Sequence, residues 1–260
     1  MRKLKQIIKW SIYFSGYLKW RVLKKANLEF DGIAHILLVK NNSYVFFAKI
    51  CALSFTLYNP KAQVVIHCDA STYTKAKKKL ALISKFRNIS ILLDQNLDVS
   101  WQSLKIDLLL SLNGSYDLYM DADLRWRNPI HKFTDVTFLV KEFQISSNNT
   151  MSQLLNLPKF NKFSNATMKN TSFFTFGGHY FSKDIILETK ETQNNFSRLV
   201  KQLDLDEKSQ SNVNRLSEQL CLSFYIGHSR KKVNYLKGSD ARLDGGIVES
   251  PYFGATGLGF

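Results

Sequence analysis

Two carboxylates one residue apart, Asp121 and Asp123, sit within the stretch YDLYMDADLRWRNP that runs from Tyr116 to Pro129. Aspartate oxygens are hard ligands, and Mg²⁺ or Mn²⁺ is commonly held by one or two of them together with substrate phosphates. With only Ala122 between them, both side chains can turn toward one point just beyond a strand. A diphosphate would complete the coordination shell. The ion would then offset the charge that develops as the bond to the diphosphate breaks. The plainer alternative is a strand followed by a polar turn, since Asp-x-Asp triplets also arise by chance. The setting favours the metal: an apolar run precedes the pair, and Leu124, Trp126 and Asn128-Pro129 follow it.

Such a pair needs a scaffold, and the preceding residues have the pattern of one. IAHILLVK (33–40) reads as a short buried strand, and residues 43–59 have helical periodicity ending at Asn59-Pro60. Residues 63–69 read as a second strand, and Ser71 is placed to cap a Lys- and Ala-rich helix reaching about Phe86. ISILLD (89–94) reads as a third strand, residues 101–114 as a helix with a glycine stop, and YDLYMD (116–121) as a fourth strand. Strands alternating with helices of this length imply βαβ units and a parallel sheet. Ligands bind such sheets beyond the carboxyl ends of the strands. Asp121, Asp123, Asn41, Asn42 and Asp69 all fall at such ends.

Beyond Pro129 the pattern loosens. Residues 136–143 read as a strand and 146–170 as a polar, Asn-rich loop able to close over a ligand. SFFTFGGHYFS (172–182) reads as a strand with a double glycine, followed by helices over about 185–203 and 209–225 and a short strand over 232–236. The remaining tail is Gly-rich.

The chain has 260 residues, is 45% hydrophobic and carries a formal net charge of +15, so a large core is available and wholesale disorder is excluded. Three scattered cysteines, Cys51, Cys68 and Cys221, argue against a disulfide framework and for a reducing compartment. No RNA- or DNA-binding motif accompanies the charge, so no nucleic-acid partner is expected. The first acidic residue is Glu29, and the segment before it mixes Lys and Arg with Trp10, Tyr13, Phe14, Tyr17 and Trp20. Its longest uncharged run, Trp10 to Leu18, is far short of the about 20 residues that a spanning helix needs. Two readings of residues 1–30 stand: a helix lying on an anionic membrane surface, or a terminal helix packed on the protein's own core. The first is preferred and implies a cytoplasmic protein, peripheral at the inner face of the membrane. Residues 31–260 then form the globular domain.

At this point the chain resembles a known group. YDLYMDADLRWRNPI is similar to the DxD segment of GT-A glycosyltransferases, closest to the family-8 type, and scattered motifs extend the resemblance from about Ala34 to Leu236. It implies a GT-A fold, a Rossmann-like mixed sheet flanked by helices, in the α/β class. It implies metal ligation by Asp121 and Asp123. VKNNSYVFFAKICALSF resembles the first strand and helix of the family. Carried over, Asn41, Asn42 and Tyr44 would contact base and ribose, with Tyr44 stacking, and Val39 and Ala122 would join the donor-binding positions. Lys105 matches a basic residue near the diphosphate or donor sugar; a solvated surface lysine is the alternative. FFTFGGHYFS resembles the strand in which Gly177 and Gly178 would lie against the donor sugar, a bulge being the alternative. LSEQLCLSF resembles a helix start whose acid-Gln pair, here Glu218 and Gln219, would face the donor sugar and the reaction centre. One departure stands out: the family's C-terminal His near a Lys-Pro-Trp has no counterpart in SPYFGATGLGF, and His228 comes too early to align.

The reading is therefore sugar transfer from a nucleotide diphosphate sugar, expected to be UDP-linked, to a hydroxyl acceptor with Mn²⁺ or Mg²⁺. An acceptor on a membrane lipid, as in surface polysaccharide or lipopolysaccharide synthesis, suits the N-terminus. A retaining enzyme needs no strong protein base, whereas an inverting one needs a carboxylate, for which Glu218 is the candidate. The competing class is a non-catalytic membrane-surface or RNA-binding protein on a degenerate transferase fold. A nucleotidyltransferase would need a Gly-rich, Arg-bearing loop after the first strand, and VKNNSY is unlike one.

Overall fold

Apolar runs bounded by turns and helical repeats become, in the chain, alternating strands and helices. A computed structural model describes residues 30–39, 44–81, 83–85, 88–94, 101–126, 130–138, 173–203, 205–228, 233–235 and 248–249. In chain order the elements are β1 (Ile33–Leu38), α1 (Val45–Tyr58), β2 (Gln63–Cys68), α2 (Ala70–Ala81), β3 (Ile89–Leu93), α3 (Trp101–Ser111), β4 (Leu118–Met120) and β5 (Arg125–Trp126). Then follow β6 (Val136–Phe138), β7 (Phe173–Thr175), α4 (Lys183–Lys201), α5 (Glu207–His228), β8 (Val233–Tyr235) and β9 (Val248–Glu249). The protein is α/β, with parallel and antiparallel strand pairs flanked by helices. The chain divides into two compact units, one of residues 1–95, 116–132 and 236–260, the other of 96–115 and 133–235.

In the first unit β3, β2, β1 and β4 lie side by side in that order, all parallel. β1 is central, so Ala34, Ile36 and Leu38 on one of its faces are buried. α1 is apolar enough to be buried on several sides. Its end is fixed by Asn59, whose Nδ2 donates to the Phe55 carbonyl at 3.0 Å and whose Oδ1 accepts from the Ile130 amide at 2.9 Å. Phe30, Phe55 and Trp126 form the aromatic heart of this core, with edge-to-face ring centres 6.0 Å apart for Phe30–Phe55 and 5.1 Å for Phe55–Trp126. The Trp126 amide donates to the Ser54 hydroxyl at 3.1 Å, tying the chain after the aspartate pair to α1.

The second unit pairs β6 antiparallel with β7 and parallel with β8, and packs α3, α4 and α5 together.

Several expectations are corrected. Asp69, not Ser71, caps α2: its Oδ1 accepts from the Thr72 amide at 3.2 Å and its Oδ2 from the Ser71 hydroxyl at 2.9 Å. Asp69 does fall directly after β2, as expected, and a carboxylate directly before a helix satisfies the helix's orphan amides. α2 stops at Ala81 rather than near Phe86, closed by turns in which the amides of Ile83 and Ser84 donate to the Leu80 carbonyl. The strand expected over 172–182 ends at Thr175, because Gly177 and Gly178 adopt φ of +59° and +77°, which a strand cannot hold. The tail also contains an unforeseen strand, β9, which pairs antiparallel with β5. The N-terminal segment 1–29, Asn41, Asn42, the loop 146–170 and the final residues 250–260 lie outside the described residues.

Candidate functional site

In a parallel sheet the chain must leave one strand in one direction and its neighbour in the other at some point, and the loops splay there into a crevice. In the first unit β1 connects onward to β2 on one side and pairs with β4 on the other. The crevice therefore lies beyond the carboxyl ends of β1 and β4. Val39, buried, follows β1, and Tyr44 begins α1 in a right-handed helical conformation. The Tyr44 ring meets Phe47 edge-on with centres 5.6 Å apart. Asp121, Ala122 and Asp123 follow β4 directly. The sequence places all five at this end of the unit, and the strand order brings the two groups to neighbouring strands.

The aspartate turn is held from several sides. The Leu124 amide donates to the Asp121 carbonyl at 3.2 Å, closing the turn. The Tyr119 hydroxyl donates to Asp121 Oδ1 at 2.6 Å, and the Cys51 thiol of α1 donates to the Asp121 carbonyl at 3.4 Å. Ala122 and Asp123 are buried and Asp121 is half-buried. Burial pushes the Cys51 thiol well above its usual pKa, and the carboxylates of Asp123 and then Asp121 push it further. Both carboxylates thus act on one buried atom of α1.

This donor set fits a hard divalent cation. Asp121 and Asp123 place hard carboxylate oxygens on alternate positions of one turn, with Asp123 7% exposed. Among the described residues no group of three or more His, Cys, Asp or Glu is placed to hold a metal, so phosphate oxygens and water would have to complete the shell.

In the second unit Lys105 on α3 is buried, not a solvated surface lysine. Its Nζ lies 3.2 Å from Glu218 Oε1 on α5. Burying two charges is costly unless they are paired, which is why these two residues meet. Gln219, next on α5, is half-buried, and its Oε1 is buried without a hydrogen-bond partner. Gly177 and Gly178 form a tight left-handed turn in which the Gly178 amide donates to the Ser115 carbonyl at 2.8 Å. A Cβ on Gly177 would lie 2.4 Å from backbone atoms of Asp135, so the missing side chain admits the protein's own chain at that point. His228 is the last residue of α5, as its early position in the sequence suggested.

Sequence reading passed over one polar cluster. His35 Nδ1 and His67 Nε2 are 2.9 Å apart across β1 and β2, and His67 Nδ1 is 3.8 Å from Asp94 Oδ2. Burial holds the His35 imidazole down at about 4, helped by His67 and opposed by Asp117, and burial also lowers His67 against the pull of Asp94. The signal was available: IAHILL and QVVIHC each carry a lone histidine in an apolar strand.

No family model matches the chain, and no curated protein matches it in sequence. Among solved structures it is similar to the PaToxG glycosyltransferase, at 16% identity over 88% of this chain and 77% of that one, with a TM-score of 0.45. It is similar to the galactosyltransferase LgtC in complex with donor and acceptor sugar analogs, at 14% identity over 79% and 73% of the two chains, TM-score 0.46. It is also similar to the mannosyltransferase PcManGT of Pyrobaculum calidifontis in complex with GDP-Man and Mn²⁺, at 9% identity over 85% and 84%, TM-score 0.36.

Proposed function

We propose that the protein is a GT-A glycosyltransferase that moves a sugar from a nucleotide diphosphate sugar to a hydroxyl acceptor, with Asp121 and Asp123 holding Mn²⁺ or Mg²⁺. The observation that carries this reading is the Asp121–Asp123 turn at the carboxyl end of β4, beside β1, where the parallel sheet reverses its strand order. Open α/β sheets bind ligands at that point. When bound, the cation offsets the charge of the departing diphosphate. The Tyr119 hydroxyl orients the Asp121 carboxylate. Tyr44 and Val39, at the β1 side, are assigned the nucleoside, with Asn41 and Asn42, and UDP is the expected nucleotide. Lys105, Glu218 and Gln219, with Gly177 and Gly178, are assigned the chemistry of the donor sugar. Glu218 serves as base if the reaction inverts configuration.

No described helix is long and apolar enough to cross a membrane. The basic aromatic segment 1–30 is proposed to rest on the anionic inner face of the membrane, where a glycolipid or surface-polysaccharide acceptor would be met.

The deciding experiment incubates the protein with a panel of nucleotide sugars, with Mn²⁺ or with chelator, and follows released nucleotide. Metal-dependent release that Asp123→Ala abolishes supports the assignment. Silence across the panel overturns it in favour of a non-catalytic protein on a degenerate transferase fold.

A further inference from the structure

From Lys61 to Leu93 the only acidic residue is Asp69, and it is 6% exposed and engaged in capping α2. Lys75, Lys77, Lys78 and Lys79 of α2 are exposed, as are Lys61 and Lys85 in the flanking segments. The opposite side of α2, made by Thr72, Ala76 and Leu80, is buried. Lys78 and Lys79 lie in the last turn of α2, where they suit the helix dipole, but Lys75 and Lys77 precede it. Lys75 and Lys79 are like charges four residues apart, which weakens an isolated helix, and α2 contains no acidic partner for either. Such a face is matched by an anionic partner.

A second observation narrows the partner. α2 packs against β3, the outer strand of its unit's parallel set, and the end of β3 leaves Leu92 49% and Leu93 39% exposed. Leu93 pairs in register with Cys68 and Leu92 with His67, so the two leucines project to opposite faces, Leu93 on that of the buried Val64, Ile66 and Cys68. Aliphatic side chains give no stacking surface for a nucleic-acid base. They do enter the boundary of a bilayer, while neighbouring lysines reach the headgroups.

We propose that the α2 lysine face, with Leu93 at the adjoining strand edge, docks the protein on an anionic lipid bilayer. This contact is separate from residues 1–30 and does not depend on sugar transfer.

The test uses full-length protein and vesicles of phosphatidylcholine with and without phosphatidylserine. The wild-type chain partitions onto the phosphatidylserine vesicles and is released by salt. Joint replacement Lys75→Gln, Lys78→Gln and Lys79→Gln weakens partitioning on the order of 100-fold, and Leu93→Gln weakens it less. Both variants keep the wild-type unfolding midpoint and unchanged nucleotide release in the absence of vesicles. Three results overturn the proposal: no vesicle binding by the wild type, undiminished binding by the triple variant, or loss of single-stranded RNA binding in the triple variant with vesicle binding intact. Loss of nucleotide release in Asp123→Ala with normal vesicle binding would bear on the transferase reading alone.

Discussion

Lys105 Nζ lies 3.2 Å from Glu218 Oε1, and both side chains are almost wholly withdrawn from solvent. A pair this deep cannot lose one member cheaply. Lys105→Ala or Glu218→Ala breaks the buried pair and is expected to cost about 3–5 kcal/mol. Lys105→Met with Glu218→Leu removes both charges, and denaturant midpoints should show the double variant well above either single one. A double variant as unstable as the sum of the singles would show that the two side chains do not act as a pair.

Tyr119 and Asp121 give a graded test of the metal turn. Tyr119→Phe removes the hydroxyl that donates to Oδ1, and Mn²⁺ affinity in the presence of UDP should fall about 10-fold or somewhat more. Asp121→Ala should remove measurable Mn²⁺-dependent UDP binding in the same calorimetric titration. Equal behaviour of the two variants would rule out an orienting role for Tyr119.

The histidine pair predicts how stability responds to acid. His35 titrates near 4 in the folded chain, against 6.5 for the ordinary imidazole, and His67 is also lowered. Between those two pH values the unfolded chain binds more protons than the folded one. Stability from this source is therefore complete above about pH 6.5 and declines as pH falls toward 4, by a total on the order of 3 kcal/mol for His35. Urea unfolding at several pH values should show the decline, and His35→Gln should flatten it relative to wild type.

Two glycines separate backbone strain from side-chain crowding. Gly177→Ala meets backbone atoms of Asp135 at 2.4 Å at a φ of +59°, and neither can yield without moving the chain. Gly114→Ala, at φ +82°, meets only the Tyr180 ring at 3.1 Å, and Tyr180 is 69% exposed and free to swing away. The first should cost about 3 kcal/mol or more and the second about 1 kcal/mol, read as a larger fall in Tm for Gly177→Ala.

Burial makes the thiols inert. Cys51 is pushed well up and Cys68 to about 12, so the thiolate that reacts is scarce in both. Maleimide should modify neither in the folded protein at neutral pH and both after unfolding in urea.

The parallel strands were readable because periodicity and burial agree there. IAHILL, QVVIHC and ISILL are short apolar runs between turn residues, and each became a strand within a residue or two of its expected bounds. The place of Asp121 and Asp123 directly after β4 was readable for the same reason, since a strand end is visible in the pattern. The cap of α2 was misplaced because local chemistry alone does not fix where the next helix starts, and Asp69 precedes it directly. Ser71 lost its expected role for the same reason. The double glycine misled because FFTFGG looks like a strand until positive φ is taken into account. The Lys105–Glu218 pair lies more than a hundred residues apart in sequence, and no spacing rule joins them. β9 is two residues long, too short for any periodicity to register.

That short strand has a practical corollary. Arg125 stands opposite Glu249, and Trp126 opposite Val248, so residues 248–249 are paired with the chain two and three residues past Asp123. Removing Val248 and Glu249 would take away the strand partner of the chain that directly follows the aspartates. Polypeptides that keep Val248 and Glu249 are the sounder starting material for metal titrations.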